Sequence, residues 1–226
     1  MKRIMVFAPH PDDETFGCGG TIAKKISEGY DVLIVIMTDG RYAFLNVFGI
    51  DSDPTPEQLK HIRREEVKRA VKILGVPEKN LIFLDFVDGT LESCEREAER
   101  RVTDILRKYP PDEAYFPYKR DGHPDHQTTY RIVKNSIKKL GISSKKYQYS
   151  ITHKYARIGC IIEAFLNCFI KRRRIHVDIS KFLHLKKLAI KEFKSEITAI
   201  SRRQQKAVMC NIHKFLKTKE EFYIEK

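Results

Sequence analysis

Apolar residues fall along this chain in two rhythms: short unbroken runs, and longer stretches that repeat every three or four positions. Arg3–Ala8 and Asp31–Met37 are runs of the first kind, of strand length, and the second is almost continuous. A strand carries such a run when both of its faces are covered, as in a parallel sheet packed between helices. Between the two, a glycine-containing turn leads into Gly20–Gly29, where Ile22 and Ile26 among lysines predict an amphipathic helix. The first 37 residues therefore read as one βαβ unit.

After Thr38-Asp39-Gly40 comes a loop rich in Phe, Asp and Pro, and then Pro56–Leu74, where Ile62, Val67, Ala70, Val71 and Leu74 recur at helical spacing and Gly75 supplies a stop. The same reasoning predicts a strand at Leu81–Leu84, a helix at Glu95–Tyr109, a strand at Glu113–Phe116 and a helix at Asp125–Leu140 ended by Gly141. Further on, Tyr147–Ile151 and Ile175–Ile179 read as strands. Phe182–Met209 reads as one long basic helix with Leu185, Leu188, Ala189, Phe193, Ile197 and Ile200 turned inward. No repeat, low-complexity tract or linker interrupts the alternation. The expectation is a single α/β domain over residues 1–226, Rossmann-like, with a mostly parallel sheet flanked by helices. In such folds ligands bind beyond the carboxyl ends of the strands.

Composition narrows this picture in three ways. Of the 226 residues, 42% are hydrophobic and 32% charged, inside the globular range. No run approaches the roughly 18–20 apolar residues of a bilayer span, and the first apolar run meets His10 and Pro11 too soon for a signal peptide. A cytoplasmic protein is expected. Five scattered cysteines (Cys18, Cys94, Cys160, Cys168 and Cys210) lack Cys-x-x-Cys spacing and read as reduced packing residues. The net charge of +13 is uneven: residues 131–226 hold 24 Lys and Arg against 7 Asp and Glu, a local +17, while residues 1–130 are at −4. A basic part of this kind invites nucleic acid, an anionic membrane or a phosphorylated substrate, and equally serves solubility. The apolar stretch Ile158–Ile170 followed by Lys171-Arg172-Arg173-Arg174 is the segment that could meet an anionic surface.

The chemistry concentrates in two places. His10-Pro11-Asp12-Asp13-Glu14 follows the first predicted strand, and His123-Pro124-Asp125-His126 follows the fourth. Imidazole and carboxylate are the nitrogen and oxygen ligands of zinc, and a catalytic zinc keeps three protein ligands with one place for water or substrate. His10, Asp13 and His126 fill that number. Asp12 is then free to act as general base on a water made acidic by the ion. His123, with Asp125 holding its second ring nitrogen, could stay protonated to stabilise an oxyanion or protonate a leaving amine. The set describes metal-assisted hydrolysis of an amide, or of an ester. His61, His153, His176, His184 and His213 lack such company.

These residues carry a resemblance. The chain resembles the LmbE-like (PIG-L) family of zinc-dependent de-N-acetylases, whose signature is an Ala-His-Pro-Asp-Asp-Glu loop and a later His-Pro-Asp-His loop, here residues 9–14 and 123–126. Further matches are Thr38-Asp39-Gly40, then Arg63, Glu66, Ala70, Leu74 and Gly75, then Asp88-Gly89, and Val177-Asp178-Ile179. The resemblance implies zinc on His10, Asp13 and His126, a base at Asp12, and His123 assisted by Asp125 at the oxyanion or leaving group. It also implies substrate contacts from Arg63, with Arg64 as the competing position, and from Asp88. Three positions depart from the pattern: Pro9 in place of alanine, Asp121 where some members place a tyrosine near the oxyanion, and Ser195-Glu196 in place of Ser-Gln.

What the resemblance implies is removal of the acetyl group from an N-acetylglucosamine-type sugar or its conjugate, with release of acetate and a free amine. The substrate could be phosphorylated or lipid-linked, and a homo-oligomer is open. Fe2+, Co2+ or Mn2+ would suit the same donors as Zn2+. The competing readings are a related metal-dependent amidase or esterase acting on a non-sugar substrate, and a basic nucleic-acid-binding protein. The second leaves both histidine loops without a purpose.

Overall fold

The continuous apolar runs become the centre of a seven-stranded sheet. In the computed structural model, which describes residues 1–151 and 174–225, the strands are β1 (Arg3–Ala8), β2 (Asp31–Thr38), β3 (Leu81–Phe86), β4 (Glu113–Pro117), β5 (Lys145–Tyr149), β6 (Arg174–Asp178) and β7 (Lys219–Glu225). Their order is β3-β2-β1-β4-β5-β7-β6. The first five run parallel, and β7 lies antiparallel between β5 and β6. Successive side chains point to opposite faces. Ile4, Val6, Val32, Ile34 and Ile36 therefore enter one apolar layer, and Met5, Phe7, Leu33, Val35 and Met37 the other. The Rossmann-like expectation holds.

Helices α1 (Asp13–Ser27) and α3 (Pro56–Ile73) cover the first face, and α4 (Glu95–Lys108) and α5 (Pro124–Leu140) the second. A capping box between Thr55 and Gln58, with Pro56 at the first helical position, starts α3. Within the Phe- and Pro-rich loop the structure adds a short helix, α2 (Ala43–Phe48).

Two expectations fail. Helix α1 begins at Asp13, well before Gly20, and runs through Gly17, Gly19 and Gly20. These glycines act through close approach: a Cβ on Gly17 would lie 2.5 Å from the Tyr149 ring, and one on Gly20 would lie 2.3 Å from Ile179. The long basic helix is also absent. Its place is taken by a 3-10 turn at Ser180–Phe182, by α6 (Leu183–Ile190), by a single turn at Lys194–Ile197, and then by irregular chain. Leu188 and Ile200 are exposed rather than inward. The apolar periodicity there serves short segments that bend around α1 and α3, and Lys186 is drawn into the core. Strand β7, which the apolar pattern did not predict, closes the sheet between β5 and β6.

Lys186 shows how the tail holds α1 in place. Its Nζ donates to Phe16 O at 2.8 Å and pairs with Glu220 at 2.5 Å, while Glu220 accepts from the Gly20 and Thr21 amides at 2.9 and 2.7 Å. Among the described cysteines Cys18 is buried and Cys94 half-buried, whereas Cys210 is exposed and not the packing residue expected. No described helix is long and apolar enough to cross a membrane. The stretch 158–174, apart from Arg174, lies outside the described residues.

Removing one partner of a buried ion pair strands the other charge. Glu220→Ala should therefore cost about 3–5 kcal/mol in urea unfolding, and a Lys186→Met, Glu220→Met double variant much less. A single-variant loss under about 1 kcal/mol would show that this pair does not hold α1.

Candidate metal centre

Strand order reverses between β1 and β4, which pair directly while their crossovers leave in opposite directions. That point opens a crevice at the carboxyl ends of the strands. Both histidine loops fall there, because one follows β1 and the other follows β4.

The three expected ligands converge. His10 Nδ1, Asp13 Oδ2 and His126 Nε2 are each 3.2 Å from the other two. Ligand atoms about 2.1 Å from a tetrahedral ion stand about 3.4 Å apart, so this triangle suits three corners of such a site. All three residues are at most 9% exposed. The arrangement fits a divalent cation on the donor chemistry alone, with two imidazole nitrogens and a carboxylate oxygen facing one point. The nitrogens of His10, His123 and His126 also lie within 4.8 Å of one another, a looser set than the triangle.

A ring of carboxylates orients the donors from behind. Asp88 Oδ1 and Asp125 Oδ2 each stand 3.3 Å from His10 Nε2, and Asp121 Oδ1 stands 3.2 Å from His126 Nδ1. Carboxylates so placed settle which ring nitrogen faces the ion. Burial disfavours the charged form of His126, but Asp13 and Asp121 outweigh it and raise its pKa to about 9. Burial also opposes ionisation of Asp13, yet His126 and His10 hold that carboxyl far below its usual range.

Asp125 corrects one expectation. Its carboxylate does not hold His123; it accepts from the Gly89 and Leu91 amides at 2.8 and 3.1 Å and faces His10. The reason lies in the start of α5. His123 is the N-cap, and its Nδ1 accepts from the Asp125 backbone N–H at 3.2 Å. Nδ1 is therefore unprotonated, and a neutral ring carries its proton on Nε2. Burial, then the positive charge of His10 and His126, push the His123 pKa down to about 4.

Asp12 sits at the turn into α1 with φ of 142°, a conformation that costs a non-glycine residue free energy. Its Oδ2 meets Arg63 Nη2 at 3.1 Å, and burial pushes the carboxyl well above its ordinary pKa against the pull of Arg63. Arg63 is only 3% exposed and also donates to Gly40 O and Pro11 O, each at 3.0 Å. Gly40, at φ +66°, makes room: a Cβ there would lie 2.6 Å from Arg63 Nη1. Arg63 is thus a clamp on the Asp12 turn as well as a cavity wall, and not the surface residue that arginines usually are. Arg64 pairs with Asp85 at 2.8 Å and stacks over Phe83. Asp88 also lines the cavity, but its Oδ2 already accepts from the Tyr42 amide.

A cavity of about 490 Å³ stands over the triangle, lined by His10, Asp12, Asp13, Arg63, Asp88, His123 and His126, with Ala43, Val47, Val208 and Met209 among its apolar walls. Glu196 and Lys214 reach it from the tail. The sequence marks Glu196 only as a departure from the family pattern, and no spacing points to Lys214. Asp121, noted only as a departure, turns out to face His126 and to accept from the His123 and Ile151 amides.

Residues 5–137 match the model of the PIG-L family, described as GlcNAc-PI de-N-acetylase. The chain belongs to this family. It is 36% identical over 132 residues to the diacetylchitobiose deacetylase of Thermococcus kodakarensis, a match covering 56% of this chain and 46% of that protein. It is 34% identical over 150 residues to the mycothiol S-conjugate amidase of Streptomyces coelicolor, covering 58% and 50%. These matches span about half the length of the curated relatives. Among solved structures, the N,N'-diacetylchitobiose deacetylase from Pyrococcus horikoshii with its inhibitor MPG superposes with a TM-score of 0.71 at 26% identity, over 99% of this chain and 84% of that one. GalB, the 4-carboxy-2-hydroxymuconate hydratase from Pseudomonas putida KT2440, superposes at 0.68 with 20% identity, over 85% and 79%. That second likeness shows the fold alone, since function lives in the site grafted on it.

Outer carboxylates tune metal affinity by about 10- to 100-fold. Asp121→Asn should weaken binding of Zn2+ or Co2+ by about that factor in competition with a chromogenic chelator. Unchanged affinity would remove Asp121 from this role.

Proposed function

We propose that this protein is a divalent-metal hydrolase that removes the acetyl group from an N-acetylated amino sugar or its conjugate, releasing acetate and the free amine. The observation that carries the reading is the triangle of His10, Asp13 and His126 with the Asp12 carboxylate beside it in one cavity. The relatives support the substrate class, since the two deacetylases named above act on diacetylchitobiose.

In this reading His10, Asp13 and His126 hold the ion, which supplies Lewis acidity and an acidified water. Zn2+ suits two nitrogens and one oxygen, and Fe2+, Co2+ and Mn2+ accept the same set. Asp12 is the general base. Burial holds its carboxyl above the ordinary range and so raises its basicity, and Arg63, anchored on Gly40 O and Pro11 O, fixes the carboxylate's direction. His123, fixed through Nδ1, carries its proton on Nε2 and donates a hydrogen bond to the carbonyl oxygen as negative charge develops, and the proton that Asp12 takes from the water passes to the departing nitrogen. Asp125 acts through His10 and the β3–α4 loop rather than through His123. Arg63 and Asp88 border the space left for the sugar.

The second reading is a related amidase that cleaves a different amide of an amino-sugar conjugate, favoured by the similarity to the mycothiol S-conjugate amidase. A panel of amino sugars carrying acetyl or larger N-acyl groups separates the two.

Metal analysis and acetate release test the proposal together. Asp12→Ala should retain the metal and lose about 10²- to 10⁴-fold in kcat, the usual worth of a general base. His10→Ala should lose the metal and, with it, the activity. Wild-type protein that takes up no divalent ion would end the reading.

A further inference from the structure

Glu14 ends the first histidine loop and has no part in the chemistry above. Its side chain is fully buried, and among the described residues it makes no ion pair. Burying a carboxyl without a cation costs stability, so its oxygens should be at work locally. Both are. Oε2 accepts from the backbone N–H of Asp12 at 3.1 Å, and Oε1 accepts from the Thr15 hydroxyl at 2.6 Å. Asp12 is the N-cap of α1, yet its side chain caps nothing. An N-cap aspartate ordinarily turns its carboxylate back onto an amide of the first helical turn. Here φ of 142° carries that carboxylate out to Arg63 and the cavity instead. Only the backward half of a capping box remains, with the acid two residues on reaching back to the N-cap N–H. Asp13 does not share this support: its Oδ2 accepts from His10 N–H at 2.9 Å, and its own N–H donates to His10 O at 3.3 Å. The metal donors and the base are thus held by separate hydrogen bonds.

We propose that Glu14 is a positioning residue that, by accepting the Asp12 N–H, keeps Asp12 out of the capping conformation and its carboxylate on the cavity side. The proposal rests on the reading of Asp12 as general base. A non-glycine residue in so sparsely populated a conformation persists only when its surroundings over-determine it. Asp12 has two such tethers, Arg63 on the carboxylate and Glu14 on the main chain. Take away the second, and a buried N–H is left unpaired, a cost that the peptide sheds by turning. The turn removes the strain as well, and it swings the carboxylate toward the amides at the start of α1. In this role Glu14 matters as an acceptor at the right reach, neither as a charge nor as a carrier of protons.

Three variants separate reach from charge. Glu14→Gln drops the charge and keeps a carbonyl oxygen at the same reach, Glu14→Asp keeps the charge and withdraws the oxygen by one methylene, and Glu14→Leu loses both. Acetate release from methyl N-acetyl-β-glucosaminide by the Zn2+-loaded enzyme should fall about 10- to 100-fold in kcat for the Leu and Asp variants, with KM within about threefold. Glu14→Gln should keep at least about a third of kcat. Zn2+ affinity in chelator competition should stay within about threefold in all three, since Asp13 is held independently. In an Asp12→Ala background, Glu14→Leu should lower kcat by less than about twofold, because it acts through Asp12. Equal losses in both backgrounds, or a Gln variant as slow as the Leu variant, would overturn the proposal. Crystal structures of the Zn2+-loaded Leu and Asp variants need no turnover: Asp12 should leave φ of 142° and turn its carboxylate toward the first turn of α1. An unmoved Asp12 in both would also overturn the proposal. Asp12 displaced in the variants, with no acetate released from any sugar by wild type, would keep the positioning role and sink the deacetylase reading.

Discussion

Three lone-pair donors held 3.2 Å from one another, away from bulk water, are the constraint around which this protein is arranged. Two imidazole nitrogens and a carboxylate oxygen so close gain nothing from each other unless a cation or shared protons stand between them. Holding them there takes rigid support. Parallel pairing of β1 with β4 supplies it, because each strand delivers one loop to the point where strand order reverses. Asp13 is the first residue of α1, and α1 is in turn pinned at its middle by Glu220 and Lys186. Packing far along the tail thus fixes where the Asp13 carboxylate stands.

The second tier of the site is built from acids rather than from more metal donors. Asp88, Asp121 and Asp125 face the outer nitrogens of His10 and His126, and each is itself anchored by backbone amides. Arg63 is the buried cation among them, and it spans the strained Asp12 turn, the Gly40 carbonyl and Glu196.

Much of this was legible before any coordinates. The strands and helices from β1 to α5 follow from unbroken apolar runs, helical periodicity and glycine stops, since each element there packs along its own length against the sheet. The tail resisted the same reading. Leu185, Leu188, Ala189, Phe193 and Ile197 keep a helical rhythm, but they belong to short pieces wrapped around α1 and α3, and periodicity does not see a bend. The start of α1 was missed for a related reason: three glycines, poor in helical propensity, are there because Tyr149, Lys186 and Ile179 press against them.

The donor set proposed to hold the ion was legible in the chain itself. Histidine and aspartate at the ends of two strands carry the right donor atoms, and strand polarity alone puts both loops at one edge of the sheet. Which partner each neighbouring residue takes was decided only in three dimensions. Asp125 turned away from His123 because the start of α5 gives that task to a backbone N–H, leaving its carboxylate to the Gly89 and Leu91 amides. Arg63 became a buried clamp because Gly40 leaves room for it, and Glu196 reached the cavity because the tail folds back across α3. Such pairings join residues up to more than a hundred positions apart, and linear spacing carries no record of them.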